Sequence, residues 1–389
     1  MSELRAGFIP LVDCAVLVVA ARMGFARAEG LKLKLEREAS WATLRDKLTV
    51  RAVDCAHLLA PVPVASQLRI GHPQAAMVAP FALSRNGNAI SVSHRLHAEM
   101  AATGRMGAPR DAAAKAEALA EVVKARAGRG QDKLVLGMVH PFSGHNFELR
   151  YWLAAAGIHP DRDVELVVIP PPFIVDHLAQ GLIDGFCVGA PWNVVGVRRG
   201  LARTIVVKPD IWRFGPEKVL AVREDFAAED ERLTPLMRSL KRAALWADDP
   251  ANRAELAALL AAEDIIAIDA ELIAATLAGA VPIDEDAVQP IADYMVFERD
   301  GTNVPRHDHA LWFYAQMVRW GQAPLTAAGV AAARRAFRPD LFTAAFPGEA
   351  MADASRAVGG FLDGNVFDPA AIDTYLAGLA VRTEPLEAS

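Results

Sequence analysis

No stretch of this sequence approaches about 18 uninterrupted apolar residues, the shortest run that reads as a bilayer-spanning helix, so no membrane span is expected. Cysteine is scarce. The three present, Cys14, Cys55 and Cys187, lie in apolar contexts with no CxxC pair, and an odd count so placed points to buried free thiols rather than a disulfide frame. Basic residues never gather into a run of five and the net charge is −6, which excludes the footprint of direct nucleic-acid binding. There is no GxSxG, HExxH or P-loop, and no GxGxxG between a strand and a helix, so a non-enzyme without cofactor or metal is expected. An uninterrupted secretion signal is also missing. Glu3, Arg5 and Asp13 break the N-terminal apolar stretch and Pro10 precedes Cys14 to Ala21, which reads as strand, loop and first helix of the mature domain and favours a cytoplasmic location.

What the chain does have is length and apolar content. Its 389 residues exceed what a single core of about 250–300 residues usually reaches, so two lobes are accommodated. Hydrophobic residues at 53% and charged ones at 23% leave no room for large disordered tracts. Up to about residue 225 short apolar runs alternate with amphipathic stretches. Strands are predicted at 31–36, 53–58, 134–139, 164–169 and 185–188, and helices at 22–28, 44–50, 111–127, 147–156 and 173–181, the βαβ rhythm of parallel sheets. Pro170-Pro171-Pro172 reads as a rigid strand-to-helix connection with Pro172 near the first helical turn. Beyond residue 225 the pattern is alanine-rich and almost wholly helical, and these helices are expected to pad the first lobe.

The most informative segment is LIDGFCVGAPWN, Leu182 to Asn193, where an apolar run drops through Gly189 into Pro191 at a helix start, with backbone N–H groups able to face a small anion. In order along the chain stand GFIPLVDCAVLVVAARMGFARAEGL from Gly7, SWATLRDKL from Ser40, NGNAISV from Asn86, HPFSGHNFELRYWLAAAGI from His140 and IWRFGPEKV from Ile211. Together these segments resemble the nitrate- and bicarbonate-binding family of ABC-transporter solute receptors, over roughly residues 5–225, and most closely its branch of cytosolic nitrate/nitrite sensors. The resemblance implies an α/β, two-lobed periplasmic-binding-protein-like fold of type II with the ligand in the interlobe cleft. The chain would cross between lobes near Arg85–Ser91 and Val206–Ile211, giving lobe one as residues 1–85 and 210–389 and lobe two as residues 86–209.

Five residues carry the expected anion site. Trp41 brings an indole N–H, a donor with no acceptor to repel an anion, at a helix N-terminus. His145 follows Ser143-Gly144 where another helix begins and can donate an N–H; His140, five residues earlier, is the weaker candidate. Lys218 aligns with the lysine that nitrate-binding members carry where bicarbonate-binding members have an acidic residue. In the resembling family many members read NGQ, and Asn88 keeps that amide one methylene shorter, its NH₂ still a donor. Gly189 lies in a segment where many relatives have GEPWN; alanine at 190 removes a carboxylate beside the cleft. Asp54, Cys55 and His57 stand close together, but VDCAHLLAPVP reads as an apolar strand followed by a turn, not a nucleophile cluster.

The resemblance thus implies a cytosolic sensor that binds nitrate or nitrite and controls an RNA-binding antiterminator by anion-dependent release. The alternative is a periplasmic nitrate receptor of an ABC importer. Enzymes that use the same fold for thiamin-pyrimidine synthesis would want a cysteine and histidine set in the cleft, which the sequence does not offer.

Overall fold

The structure, a computed structural model, describes residues 1–71, 75–349, 357–384 and 386. Strands β1 (Ser2–Phe8), β2 (Leu31–Arg37), β3 (Cys55–Leu59) and β4 (Met77–Asn86) open the chain. Then come β5 (Asn88–Ser93), β6 (Val135–Met138), β7 (Glu165–Val168), β8 (Gly185–Gly189) and β9 (Ala202–Val207). β10 (Pro216–Arg223), the hairpin β11 (Ala280–Asp284) and β12 (Ala287–Pro290), and the short β13 (Met295–Val296) complete the set. One sheet has the order β13-β4-β10-β3-β1-β2 and the other β7-β6-β8-β5-β9, so each of two lobes is built on its own sheet.

The strands change sheet twice. Between β4 and β5 only Gly87 intervenes, at φ +88, after Asn86 at φ +63; both are left-handed conformations that glycine and asparagine tolerate best. A Cβ at position 87 would lie 2.5 Å from Met295 Cε, the end of a flexible side chain that can turn aside, so the left-handed backbone is the stronger reason for glycine here. The return runs from Val207 through the short helix Lys208–Ile211 to Pro216. Strands that have just crossed enter their new sheet from the opposite end, so both sheets are mixed, where the βαβ rhythm alone suggested parallel pairing. β1 pairs in parallel with β2 and β3, and β6 with β7 and β8, whereas β10 is antiparallel to β3 and β4, and β5 is antiparallel to β8 and β9. Edge strand β2 alternates Leu31, Leu33 and Leu35 with Lys32 and Lys34, whose exposed ammoniums discourage a further strand from pairing there.

Two local expectations fail. The first helix is Ala15–Arg22 rather than 22–28, with only a short turn of helix at Phe25–Ala28. Its residues 15 to 20 are buried all round between the first sheet and the helix Leu233–Asp248, so the run shows no polar face by which its period could be read. After β3 the chain enters the helix Pro61–Gln67 instead of a turn, with proline in the first helical turn where no N–H is needed. Residues beyond 225 do more than pad lobe one. Phe313, in the buried helix His307–Arg319, packs on Phe147 at 6.3 Å between ring centroids, Trp312 packs on Tyr151, and the hairpin joins β9 through an Arg203–Asp284 ion pair of 2.5 Å. An amphipathic pattern shows that a face is buried, not against what. All three cysteines are buried free thiols, as their count and setting suggested. Among the described residues no helix is long and apolar enough to cross a membrane.

Candidate functional site

Where the two sheets meet, the chain buries an unusual density of charge. Asp13, His57, Glu217 and Lys218 come from the β1, β3 and β10 side; Asn88, His145, Glu148 and Gly189 come from the β5 and β8 side; Lys208 stands on the connection between them. Gly189 is buried, and none of the others is exposed to more than 1%. Unpaired buried charges cost several kcal/mol each, so such a cluster persists only if its members satisfy one another.

They do so by strict alternation. Lys218 Nζ lies 2.8 Å from Asp13 Oδ2 and 2.8 Å from Glu217 Oε1, while Lys208 Nζ lies 2.6 Å from Glu217 Oε2 and 2.6 Å from Glu148 Oε1. The order Asp13, Lys218, Glu217, Lys208, Glu148 therefore crosses from one lobe to the other with each carboxylate facing an ammonium. Asn88 Nδ2 donates to both Glu148 Oε2 (2.9 Å) and Glu217 Oε2 (2.7 Å), and His57 Nε2 meets Asp13 Oδ1 at 2.8 Å. Burial alone would raise the Asp13 and Glu217 carboxyls, but Lys218 at the one and Lys208 with Lys218 at the other bring both below the ordinary range. Burial raises Glu148, which Lys208 only partly opposes.

An ammonium has three donors. Lys208 spends all three, on Glu148, Glu217 and the carbonyl oxygen of Pro216 at 2.9 Å. Lys218 spends two. Its nitrogen also lies 5.4 Å from the centroid of the Trp41 ring, and that indole, 1% exposed, has no acceptor for Nε1–H among the described residues. On the far side His145 has no hydrogen-bond partner at Nε2, while its Nδ1 stands 3.6 Å from Glu217 Oε1. Burial depresses the His145 imidazole to about 3, so the ring is neutral and offers one N–H. Gly189 faces the same space: a Cβ there would sit 3.4 Å from Asn88 Oδ1 and 3.5 Å from both His145 Nε2 and Leu11 Cδ2.

All five residues expected from the sequence thus stand in or against one buried cluster. Their detail differs from expectation. Lys218 is neither a surface lysine nor a free cation but one already held by two carboxylates. Asn88 has both N–H bonds committed to Glu148 and Glu217, leaving Oδ1 without a donor, because two acidic neighbours attract the NH₂ end of the amide. His140 is turned to its own loop, its Nδ1 accepting from the Phe142 N–H at 3.0 Å. Cys55 faces the backbone of Arg5, and burial pushes its thiol far up, so the stretch around it holds no nucleophile.

Sequence reasoning missed Asp13, Glu148, Lys208 and Glu217, and it set His57 aside. For two of these a signal was present: Asp13 interrupts LVDCAVLVVAA and Glu148 interrupts NFELRYWL, and a lone carboxylate within an apolar helix or loop is seldom there without a buried partner. Lys208 and Glu217 carry no such mark.

A family model described as NMT1-like matches residues 1–261. The chain is 33% identical over 392 residues to the nitrate/nitrite binding protein NrtA of Synechococcus elongatus, a match covering 97% of this chain and 86% of that protein. It is 36% identical over 344 residues to the nitrate import ATP-binding protein NrtC of Synechocystis, covering 87% of this chain but 49% of that protein, so it spans about half of NrtC's length. The solved structure of the periplasmic nitrate-binding protein NrtA from Synechocystis superposes with a TM-score of 0.88 at 26% identity, over 98% of this chain and 99% of that one. With a family match over most of its length and a relative of one-third identity along nearly all of it, the chain belongs to the NMT1-like family and is related to the nitrate/nitrite binding protein NrtA.

Proposed function

We propose that the protein is the nitrate or nitrite receptor of an ABC importer, holding the anion between its lobes against Trp41, His145, Gly189 and Lys218, with Asn88 positioning the carboxylates behind them. One observation carries this reading: in a fully buried cluster the indole N–H of Trp41 and, in its Nε2–H tautomer, His145 are donors without partners among the described residues, and Lys218 has three N–H groups for two carboxylates. A planar monoanion with three equivalent oxygens can accept from three such donors, and out of water each charge-assisted bond is stronger. The two lysines already face three carboxylates, which works against dianions. The names of the relatives, nitrate-binding proteins and an import ATPase, favour the importer receptor over a sensor that releases an RNA-binding antiterminator. The cytoplasmic location expected for the sensor goes with that second reading.

Calorimetric titration of anion-depleted protein with nitrate, nitrite, bicarbonate and chloride tests the proposal. Nitrate or nitrite is expected to bind with a Kd in the micromolar range, about −8 kcal/mol. Bicarbonate is the informative rival, since its O–H has an acceptor available in Asn88 Oδ1. Heat from bicarbonate and none from nitrate or nitrite would overturn the reading. Nitrate-dependent release of a co-purified antiterminator would return the sensor to first place.

A further inference from the structure

We propose that the anion enters this cluster together with one proton, and that Glu148 is the residue that carries it. The inference rests on the nitrate-receptor reading and follows from counting charges. Three carboxylates, Asp13, Glu148 and Glu217, are buried with two ammoniums, Lys208 and Lys218, and the neutral imidazoles of His57 and His145. Fully ionised, the cluster is one negative charge in excess before any ligand arrives, and a monoanion would make it two. In a medium that screens poorly, that excess opposes the binding it is supposed to serve.

The partners of each carboxylate decide which one is neutralised. Glu217 has an ammonium at each oxygen and the Asn88 amide besides. Asp13 shares Lys218 with Glu217 on one oxygen, but on the other it has the His57 N–H, a partner that no other carboxylate of the cluster uses. Glu148 has only what it shares with Glu217, the nitrogen of Lys208 and the amide of Asn88. Around it stand Lys208, Glu217 from β10, Asn88 from β5, the Cys187 thiol from β8 and, on its own helix Gly144–Ala155, the neutral His145. Burial also holds Glu148 above the ordinary carboxyl range while Glu217 is held below it. When the lobes part, Glu148 meets water and ionises as a carboxylate normally does. Closure on the anion then draws a proton from solvent onto its carboxyl oxygen, leaving Lys208 to Glu217 and the anion facing a cluster without excess charge.

Nitrate titrations at one pH near neutrality, in buffers of different ionisation enthalpy, read the proton directly. The apparent enthalpy should vary with buffer in proportion to an uptake approaching about one proton per nitrate, and Kd should rise with pH by up to about tenfold per unit. Glu148→Gln, a mimic of the protonated acid, should bring the buffer dependence close to zero and tighten binding at the alkaline end. Nitrate that binds the wild-type protein with the same heat in every buffer overturns the proposal, as does a Glu148→Gln protein that keeps the wild-type uptake. The wild-type series alone decides the matter if the variant fails to fold. Absence of any nitrate binding would instead defeat the receptor reading on which the inference stands.

Discussion

The ammonium nitrogen of Lys218 lies 5.4 Å from the centroid of the Trp41 ring and 2.8 Å from both Asp13 Oδ2 and Glu217 Oε1. Position 218 is thereby part of the interior and of the candidate anion site at once. Replacing it with methionine should leave two buried carboxylates short of a partner and cost about 3–5 kcal/mol of stability. Urea unfolding measures that loss, and nitrate should no longer raise the midpoint. Lys218→Glu, which adds a fourth carboxyl beside a single remaining ammonium, should fold less well still. A methionine variant of wild-type stability that is still stabilised by nitrate would remove Lys218 from the site.

Trp41→Phe separates donor from packing. The ring that lies 5.5 Å from that of His57 is largely kept, while the Nε1–H that has no partner among the described residues is lost. Nitrate affinity should fall by about 10–100-fold, the equivalent of one hydrogen bond to a charged acceptor, about 1.5–3 kcal/mol. The unfolding midpoint should move little. A large drop in stability with unchanged Kd would make Trp41 a core residue only.

Two glycines in the cluster should answer differently to alanine. At Gly189 the added methyl meets its neighbours at 3.4–3.5 Å, ordinary contact, so the protein should fold normally while the methyl blocks the face where His145 Nε2 and Asn88 Oδ1 converge. At Gly144 the methyl would stand 2.5 Å from Glu217 Oε2, inside contact distance, and stability itself should drop. Melting temperatures and nitrate titrations of the pair test this contrast, and equal behaviour would contradict it.

Acid should weaken the fold in two stages. His145 is held at about 3 and His57 is lowered from the ordinary 6.5, both by burial, so below that value the unfolded chain binds protons that the native state refuses. Stability present above 6.5 is therefore lost as pH falls toward the native values. Asp13 and Glu217, depressed by their lysines, add a second loss below the ordinary carboxyl range. Glu148, raised by burial, works in the opposite direction. Urea midpoints from pH 7 downward should show the first decline already above the carboxylate range, and His145→Gln should flatten it. A midpoint that stays level until the carboxylates titrate would contradict the buried neutral imidazoles.

Much of the site could be read from local sequence because its donors sit at helix starts, which short motifs mark. Trp41 opens the helix Trp41–Thr49, His145 stands in the first turn of Gly144–Ala155, and Gly189 ends β8 just before the helix Trp192–Arg198. The alternation of short strands with amphipathic helices likewise announced an α/β fold, since strand and helix periods are local properties of the chain. Where a run is buried on every side, as from Ala15 to Ala20, that period vanishes and strand, loop and helix look alike.

Pairing across distance belongs to the tertiary structure alone. Nothing near Lys218 in the chain shows that it meets Asp13, 205 residues earlier, or that Lys208 joins Glu148 to Glu217 across the two lobes. The motifs suggested donors and a lysine for an anion; the fold built a cluster with more carboxylates than ammoniums and gave the N–H groups of Asn88 to two of those carboxylates. Residue type and helix position are written locally. The balance of buried charge depends on which chain segments are brought together and shut off from water, and only the packing of the two sheets decides that.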